Sequence, residues 1–125
     1  DFGTKAMLAS AAAWPPNPRN PPRFFDLPMK DGQIDADVVA RWAANAPLSM
    51  VTQYIPALRR YEAIAVDAGD RDVGIAQTVR VLDGILNDFG VAHHAEIYDG
   101  DHVSRINERL ESKLLPFFSA HLKFN

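Results

Sequence analysis

The residues of this chain that could do chemistry are an aspartate and a histidine, each placed after an apolar, strand-like segment. Residues 62–67 form the first segment, and a Gly-x-x-Asp turn after it ends at Asp72. His94–Tyr98 form the second, and an Asp-Gly-Asp turn leads from it to His102. A carboxylate bonded to an imidazole fixes the tautomer of the ring and stabilises the imidazolium. The pair therefore predicts the acid and the base of a catalytic triad.

The spacing leaves other roles open for both residues. Asp72 precedes a predicted helix, so it is also a candidate helix cap, as loop aspartates often are. Asp67 and Asp70 are rivals for the role of the acid, although Asp67 still lies in the strand and Asp70 comes early in the turn. His102 is in turn a candidate to cap the following helix or to pack against Phe117.

No nucleophile accompanies this pair. The G-x-S-x-G pattern of a nucleophile elbow occurs nowhere in the 125 residues, and no serine has glycines at both flanking positions. Ser10 has small neighbours, but Ala-Ala-Trp-Pro-Pro follows it soon after, and that sequence opposes the helix that an elbow requires. The remaining serines are Ser49, Ser104, Ser112 and Ser119.

A metal site is a weak alternative. His93, His94, Asp99, Asp101 and His102 lie within ten residues. Adjacent histidines on a strand point to opposite faces, however, and no H-x-x-x-H pattern is present. The sequence therefore predicts neither a metal nor another cofactor.

The bulk composition is that of a globular domain. Apolar residues make up 47% of the chain and charged residues 23%, with a net charge of -3 and no cysteine. The interspersed charges favour neither nucleic acid nor an anionic membrane surface as a partner, and no apolar run is long enough to span a bilayer. Cysteine-free proteins occur in every redox compartment, so the composition does not select a localisation.

The periodicity of the chain indicates alternating strands and helices. We expect strands at 5–11, 62–67 and 94–98, an ordered proline-rich excursion at 15–32, helices at 35–45, 48–59 and 73–89, and a last helix at 103–122 that Pro116 interrupts. This alternation predicts an α/β fold with a mainly parallel sheet. Function in such sheets collects at the carboxyl ends of the strands, where Asp72 and His102 are expected.

Several segments together resemble a known family. They are Phe-Gly-Thr-Lys-Ala-Met-Leu-Ala-Ser at 2–10, Pro-Asn-Pro-Arg-Asn-Pro-Pro at 16–22, Asp-Leu-Pro at 26–28, Asp-Ala-Gly-Asp-Arg-Asp at 67–72 and Gly-Asp-His at 100–102. They resemble the carboxyl-terminal half of the α/β-hydrolase family that includes esterase D-like, enterochelin esterase-like and feruloyl esterase-like enzymes. The resemblance implies a three-layer α/β-hydrolase fold of which residues 1–125 form the carboxyl-terminal part, with Asp72 as catalytic acid and His102 as catalytic base. Relatives often have Gly-Gly-His-Gly at the histidine, whereas this chain has Gly-Asp-His-Val.

The expected function follows from that resemblance. It implies a serine esterase acting on a small-molecule ester, present here as a fragment or subunit without its serine and inactive alone. A chain that begins at Asp1 is expected to be part of a longer polypeptide. Its expected partner is the amino-terminal half of the same protein or a second copy, because a half-sheet leaves an open edge. The alternative is a non-catalytic α/β interaction or assembly module derived from an esterase.

Overall fold

Helices and strands of mixed α/β type make up the structure, a computed structural model that describes residues 1–123. The chain divides into two compact units, Asp1–Val51 and Thr52–Asn125. The elements are α1 (Phe2–Ala13), β1 (Met29–Lys30), β2 (Gln33–Ile34), α2 (Ala36–Asn45), α3 (Pro47–Met50), a 3₁₀ turn (Val51–Tyr54), α4 (Ile55–Leu58), β3 (Ala65–Gly69), α5 (Val73–Asp88), β4 (His94–Tyr98), α6 (Ile106–Arg109), a π-helical turn (Leu110–Leu114) and α7 (Leu115–His121). Within the described residues, no helix combines the length and the apolarity needed to cross a membrane.

The first segment of the chain is a helix, so the strand expected at 5–11 is wrong. Alanine, leucine, methionine and lysine dominate it, and these residues have high helix propensity. The Asp1 carboxylate caps the helix by accepting a hydrogen bond from the Thr4 backbone N–H at 2.8 Å. A helix satisfies its backbone hydrogen bonds within the segment, whereas a strand needs a neighbour to pair with. Ser10 therefore lies inside α1, not on a turn after a strand.

The proline-rich excursion is ordered, as expected, by a polar network around Asp26. Its carboxylate accepts hydrogen bonds from Asn17 Nδ2 at 3.0 and 2.9 Å and from Asn20 Nδ2 at 3.1 Å. Nη2 of Arg41 lies 3.6 Å from Oδ2 of Asp26. These interactions hold the pKa of Asp26 below its ordinary value, and the hydrogen bond from Asn17 has the largest effect. The two Trp rings of this unit, Trp14 and Trp42, meet edge to face with centroids 5.2 Å apart.

A short hairpin leads into α2. β1 and β2 pair antiparallel, and the connecting residues Asp31 and Gly32 both have positive φ, 51° and 76°. An Asp-Gly pair is the typical sequence for such a two-residue turn. Asp35 caps α2, because its Oδ1 accepts from the backbone N–H groups of Asp37 and Val38, each at 3.1 Å.

The sheet of the second unit is a parallel pair. β3 and β4 run side by side, with Ala65 opposite His94 and Gly69 opposite Tyr98. β3 starts later than the expected strand at 62–67 and continues through Gly69. The described chain thus contains one parallel pair and one short antiparallel pair, which bears out the α/β class.

Helix α5 connects the two parallel strands and covers one face of them. Its Ala76 and Val79 are buried against Ala68 of β3, and Val66 and Ile97 pack around this cluster. Ile75 also fits the apolar spacing of this helix, but its side chain is exposed, and Ala76 is the residue that is buried.

Gly90 ends α5 as its carboxyl-terminal cap. Gly90 has φ 62°, and its N–H donates to the Asn87 carbonyl at 2.9 Å. The Val91 N–H donates to the Leu86 carbonyl at 2.8 Å, which completes a Schellman motif.

The last helix is interrupted before Pro116, not at it. The helix begins at Ile106, and the Leu115 N–H donates to the Leu110 carbonyl, an i to i−5 bond that widens the turn. Pro116 has no N–H to donate and its ring crowds the carbonyl four residues earlier, so a wide turn at this position relieves both problems. The chain then continues as α7 through His121.

Candidate functional site

Asp72 and His102 meet above the carboxyl ends of the parallel pair. Asp72 follows β3 and directly precedes α5, while His102 lies in the loop after β4. Because β3 and β4 are neighbours, their two loops emerge side by side. Nδ1 of His102 lies 2.6 Å from Oδ2 of Asp72, within hydrogen-bond distance. The contact expected from the sequence is therefore present, and its catalytic use stays a prediction.

The carboxylate of Asp72 is directed to the histidine and not to the helix. Asp72 occupies the position before the first residue of α5, yet its side chain accepts no hydrogen bond from the backbone of that helix. Only 21% of the side chain is exposed. The helix-cap role weighed from the sequence is thus not the one that this carboxylate performs.

The imidazole of His102 has one occupied and one open nitrogen. The carboxylate selects the tautomer that carries the proton on Nδ1, so the neutral ring keeps a lone pair on Nε2. Among residues 1–123, Nε2 makes no hydrogen bond, and 77% of the side chain is exposed. An imidazole in this state can accept a proton at Nε2 from a hydroxyl placed against it.

The two other roles considered for His102 are not found. The following helix begins at Ile106 with Arg105 at its cap position, so His102 lies too early to cap it. The ring of Phe117 contacts those of Phe118 and His121, with centroids 5.5 and 5.0 Å away.

The rival carboxylates are engaged elsewhere. Oδ1 of Asp70 accepts the backbone N–H of Gly100 at 3.0 Å, and this bond is the first cause of the lowered pKa of Asp70. Asp67 lies within β3, where its Oδ2 accepts from Nε of Arg109 at 2.8 Å. Neither carboxylate is hydrogen-bonded to His102, so the geometry distinguishes Asp72 from both.

A side-chain turn shapes the loop that carries the histidine. Oδ1 of Asp101 accepts the N–H groups of Val103 at 2.9 Å and Ser104 at 2.8 Å, while the Asp101 N–H donates to Ser104 Oγ at 2.9 Å. The bond from Val103, followed by that from Ser104, lowers the pKa of Asp101. His102 is enclosed by these reciprocal bonds, which restrict its backbone.

The two loops touch through their glycines. A Cβ added to Gly69 would lie 2.3 Å from the Gly100 carbonyl oxygen, closer than any real contact. A Cβ on Gly100 would lie 2.5 Å from Cε2 of Tyr98. Gly69 needs to be glycine because the atoms in the way are backbone, whereas a side chain at Gly100 would require the Tyr98 ring to shift.

An ionic cluster lies on the face of the sheet opposite α5. Arg109, only 12% exposed, donates to Asp67 and to Glu96 and lies over the Tyr98 ring, 4.2 Å from its centroid. Arg109 lowers the pKa of Glu96 to about 2, and the pKa of Arg109 is raised in turn. The cluster borders a cavity of about 490 Å³ whose apolar lining comes from Ile106, Leu110, Leu114, Phe117 and Phe118.

No nucleophile meets His102 in the described chain. Oγ of Ser104 accepts the Asp101 N–H, and Oγ of Ser112 donates to the Glu108 carbonyl at 2.7 Å. Across residues 1–123 no hydrogen bond joins a serine hydroxyl to His102. In the same residues no group of three or more His, Asp or Glu side chains is arranged to hold a metal ion.

The sequence alone did not identify the residues that hold the two loops of the site in place. Asp70 was considered only as a rival acid and Asp101 only as a weak metal ligand, although both organise the loops. The signal for Asp101 was present, because an Asp followed three residues later by Ser is a pattern that favours local side-chain turns. Comparison of the sequence with protein-family models and with curated proteins finds no match.

Proposed function

We propose that this chain supplies the catalytic acid and base of a serine carboxylic ester hydrolase of the α/β-hydrolase type. One observation carries the proposal: His102 Nδ1 is hydrogen-bonded to Asp72 Oδ2 at 2.6 Å, and Nε2 is open to solvent. The order of acid and histidine along the chain, each after one of two neighbouring parallel strands, supports the same reading.

The roles follow from what each group can do. A serine hydroxyl placed at Nε2 of His102 would transfer its proton to that nitrogen while Oγ forms a bond to the ester carbonyl carbon. The tetrahedral intermediate would then break its bond to the leaving alkoxide, which takes the proton from Nε2. Water would hydrolyse the acyl-enzyme by the same proton transfers in reverse order. Asp72 would stabilise the imidazolium that forms in each half of the cycle.

The serine and the oxyanion hole belong, in this proposal, to another polypeptide segment. That segment is the amino-terminal portion of the same protein, because a second copy of these 125 residues offers an edge for pairing but again no G-x-S-x-G. Strand β3 has one neighbour in the described residues, β4, so its other edge is available for pairing. In the full three-layer fold that we propose, this edge joins the two halves of the sheet.

The test is ester hydrolysis with and without a segment that bears G-x-S-x-G. The 125-residue chain alone should show no saturable hydrolysis of short-chain aryl esters and no serine labelled by a fluorophosphonate. With the segment present, hydrolysis should appear, and His102→Ala should abolish it. Asp72→Asn should lower kcat by about 10⁴-fold, the typical loss when the acid cannot hold the tautomer.

The matched control is His121→Ala, which removes an exposed imidazole from the same unit without touching the dyad. It should leave the rate unchanged. Turnover by the chain alone with one of its own serines labelled would overturn the proposal. An association that forms but shows no turnover would instead favour the non-catalytic module.

A further inference from the structure

Besides the Asp72–His102 bond and the Arg71–Asp99 pair, three hydrogen bonds join the loops that carry Asp72 and His102 beyond the end of the strand ladder. Two are between backbone groups: Asp70 N–H to the Tyr98 carbonyl at 2.8 Å and Arg71 N–H to the Gly100 carbonyl at 2.9 Å. The third is the bond from the Gly100 N–H to Oδ1 of Asp70 at 3.0 Å. The last regular pair of the ladder is Gly69 with Tyr98, so these bonds hold the two loops together after the strands end.

The side-chain bond is the only one of the three that mutation can remove without altering the backbone. It is charge-assisted, because an ionised carboxylate accepts from a backbone N–H, and such bonds are stronger than neutral ones. Gly100 lies two residues before His102, so a change in the position of Gly100 is transmitted directly to the histidine. The bond therefore lies at the point where the His102 loop is fixed relative to the Asp72 loop.

We propose that Asp70 is a positioning residue for the dyad, because its carboxylate anchors Gly100 and thereby keeps His102 Nδ1 within hydrogen-bond distance of Asp72. The biological meaning rests on the proposed function, but the geometry is measurable without a nucleophile or a substrate. Asp70 does not touch the imidazole; it acts through the backbone of the neighbouring loop.

The ion pair between Arg71 and Asp99 also joins the loops, but it is more exposed than the Asp70 side chain, which is 49% exposed, so it contributes less to holding them in place. Arg71 is paired with Asp99, and their side chains are 58% and 80% exposed. Surface ion pairs of this kind add little rigidity, because solvent and salt screen them and both side chains remain mobile. Asp99 therefore offers a matched control: it is an aspartate in the same pair of loops that makes a contact between them without bonding to Gly100.

The experiment compares four forms of the full chain: wild type, Asp70→Ala, Asp70→Asn and Asp99→Ala. Long-range ¹H–¹⁵N spectra report the tautomer of His102 and the presence of a slowly exchanging Nδ1 proton. In Asp70→Ala the equilibrium constant between the formed and the open dyad bond should fall by about tenfold, the effect of losing one charge-assisted bond. Asp70→Asn keeps an oxygen that can accept from Gly100, so it should restore most of the Nδ1 signal. Asp99→Ala should match wild type.

An Asp70→Ala variant with the wild-type tautomer and the same Nδ1 proton signal would overturn the proposal. If that variant does not fold, Asp70→Glu replaces it, because the longer side chain keeps the charge but moves the acceptor by one methylene. Loss of the Nδ1 signal supports the proposal, and its full retention in Asp70→Glu overturns it. A normal signal in a complemented but inactive enzyme would contradict the proposed function alone, so the two failures are distinguishable.

Discussion

Asp72 stands at the position before α5, yet its carboxylate accepts a hydrogen bond from His102 Nδ1 and none from the backbone of the helix. Asp35 occupies the same position before α2 and does the opposite, because it accepts two backbone N–H groups. The same residue type thus serves two purposes in one chain. In the first case a histidine in the loop after the neighbouring strand bonds to the carboxylate.

This contrast gives the first prediction, on helix stability. Asp35→Ala removes a working cap, so it should lower the free energy of unfolding of the first unit by about 1 kcal/mol. Asp72→Ala removes a carboxylate that accepts no backbone N–H of α5, so it should change the stability of the second unit by less than about 0.5 kcal/mol. Amide hydrogen exchange in α2 and α5 measures the two effects separately. An equal loss of protection in both helices would show that Asp72 caps α5.

The second prediction concerns Arg109. Asp67 and Glu96 are opposite each other in the parallel pair, and Arg109 forms an ion pair with each of them. Arg109→Ala leaves two partly buried carboxylates side by side, so it should lower the free energy of unfolding by about 2 kcal/mol. Arg105→Ala is the control: it breaks a surface pair with Glu108 and should cost about 0.5 kcal/mol or less. Urea denaturation measures both, and equal effects would contradict the central role of Arg109.

The third prediction is a loss of stability in acid. Pairing with Arg109 lowers the pKa of Glu96 from 4.5 to about 2. The stability that this shift contributes is fully present above pH 4.5 and is lost as the pH falls through about 2. The loss occurs because the unfolded state binds the proton at a higher pH than the folded state does. Glu96→Gln cannot titrate, so its stability should depend less steeply on pH in this range. Denaturation curves of the two proteins across the acid range make the comparison, and parallel pH profiles would contradict it.

The fourth prediction concerns His93, whose side chain is only 4% exposed. Nδ1 lies 2.8 Å from the Val91 carbonyl and Nε2 lies 2.9 Å from Asp83 Oδ1, so both nitrogens face acceptors. The bond to Val91, followed by that to Asp83, raises the pKa of His93 above 6.5. The stability that protonation of His93 contributes is fully present below pH 6.5 and is lost as the pH rises through the pKa of His93 in the folded state.

The matched variant for this prediction is His93→Gln, which carries no titrating group. Between about pH 6 and pH 8, where histidines titrate, wild type should lose stability relative to the variant. The difference between the two profiles isolates His93 from the other three histidines. The NMR titration of the His93 ring checks the direction of the shift independently. A midpoint below 6.5 would contradict the doubly bonded imidazolium.

The part of the fold that sequence predicted well is the part where local and tertiary preferences agree. Helix α5 has apolar residues at helical spacing and a glycine at its end, so its bounds and its cap were readable. The segment at 5–11 was misjudged because short apolar runs fit either a strand or a helix. Its composition favoured the helix, and within residues 1–123 no strand pairs with this segment.

The Asp72–His102 pair could be predicted from the sequence, whereas the role of Asp70 in holding the two loops together could not. The order of acid and histidine after two strands is visible in sequence, because neighbouring parallel strands bring their following loops together. Asp70 could not be ranked from spacing, since its use depends on which backbone N–H the opposing loop presents. That N–H belongs to Gly100, thirty residues away, and only the register of β3 with β4 brings it into range.

The fifth prediction concerns the close approach of the two loops. Gly69→Ala would put a methyl group 2.3 Å from the Gly100 carbonyl oxygen, and the atoms that it meets are backbone, so the loops must separate. We expect a loss of about 1 to 3 kcal/mol, typical of overpacking, together with loss of the slowly exchanging Nδ1 proton of His102.

The control is a glycine of the same unit with open space around it. Gly84 lies in the middle of α5 and has nothing within 4 Å of an added Cβ, so Gly84→Ala should stabilise the helix by about 0.5 to 1 kcal/mol. The two substitutions should change stability in opposite directions, because an added Cβ meets backbone atoms at position 69 and open space at position 84. Thermal melts give the signs, and the His102 spectrum shows whether the dyad follows the loops. A Gly69→Ala variant with an intact Nδ1 signal would mean that the dyad tolerates separation of the loops, in which case its geometry is set within the His102 turn by Asp101 alone.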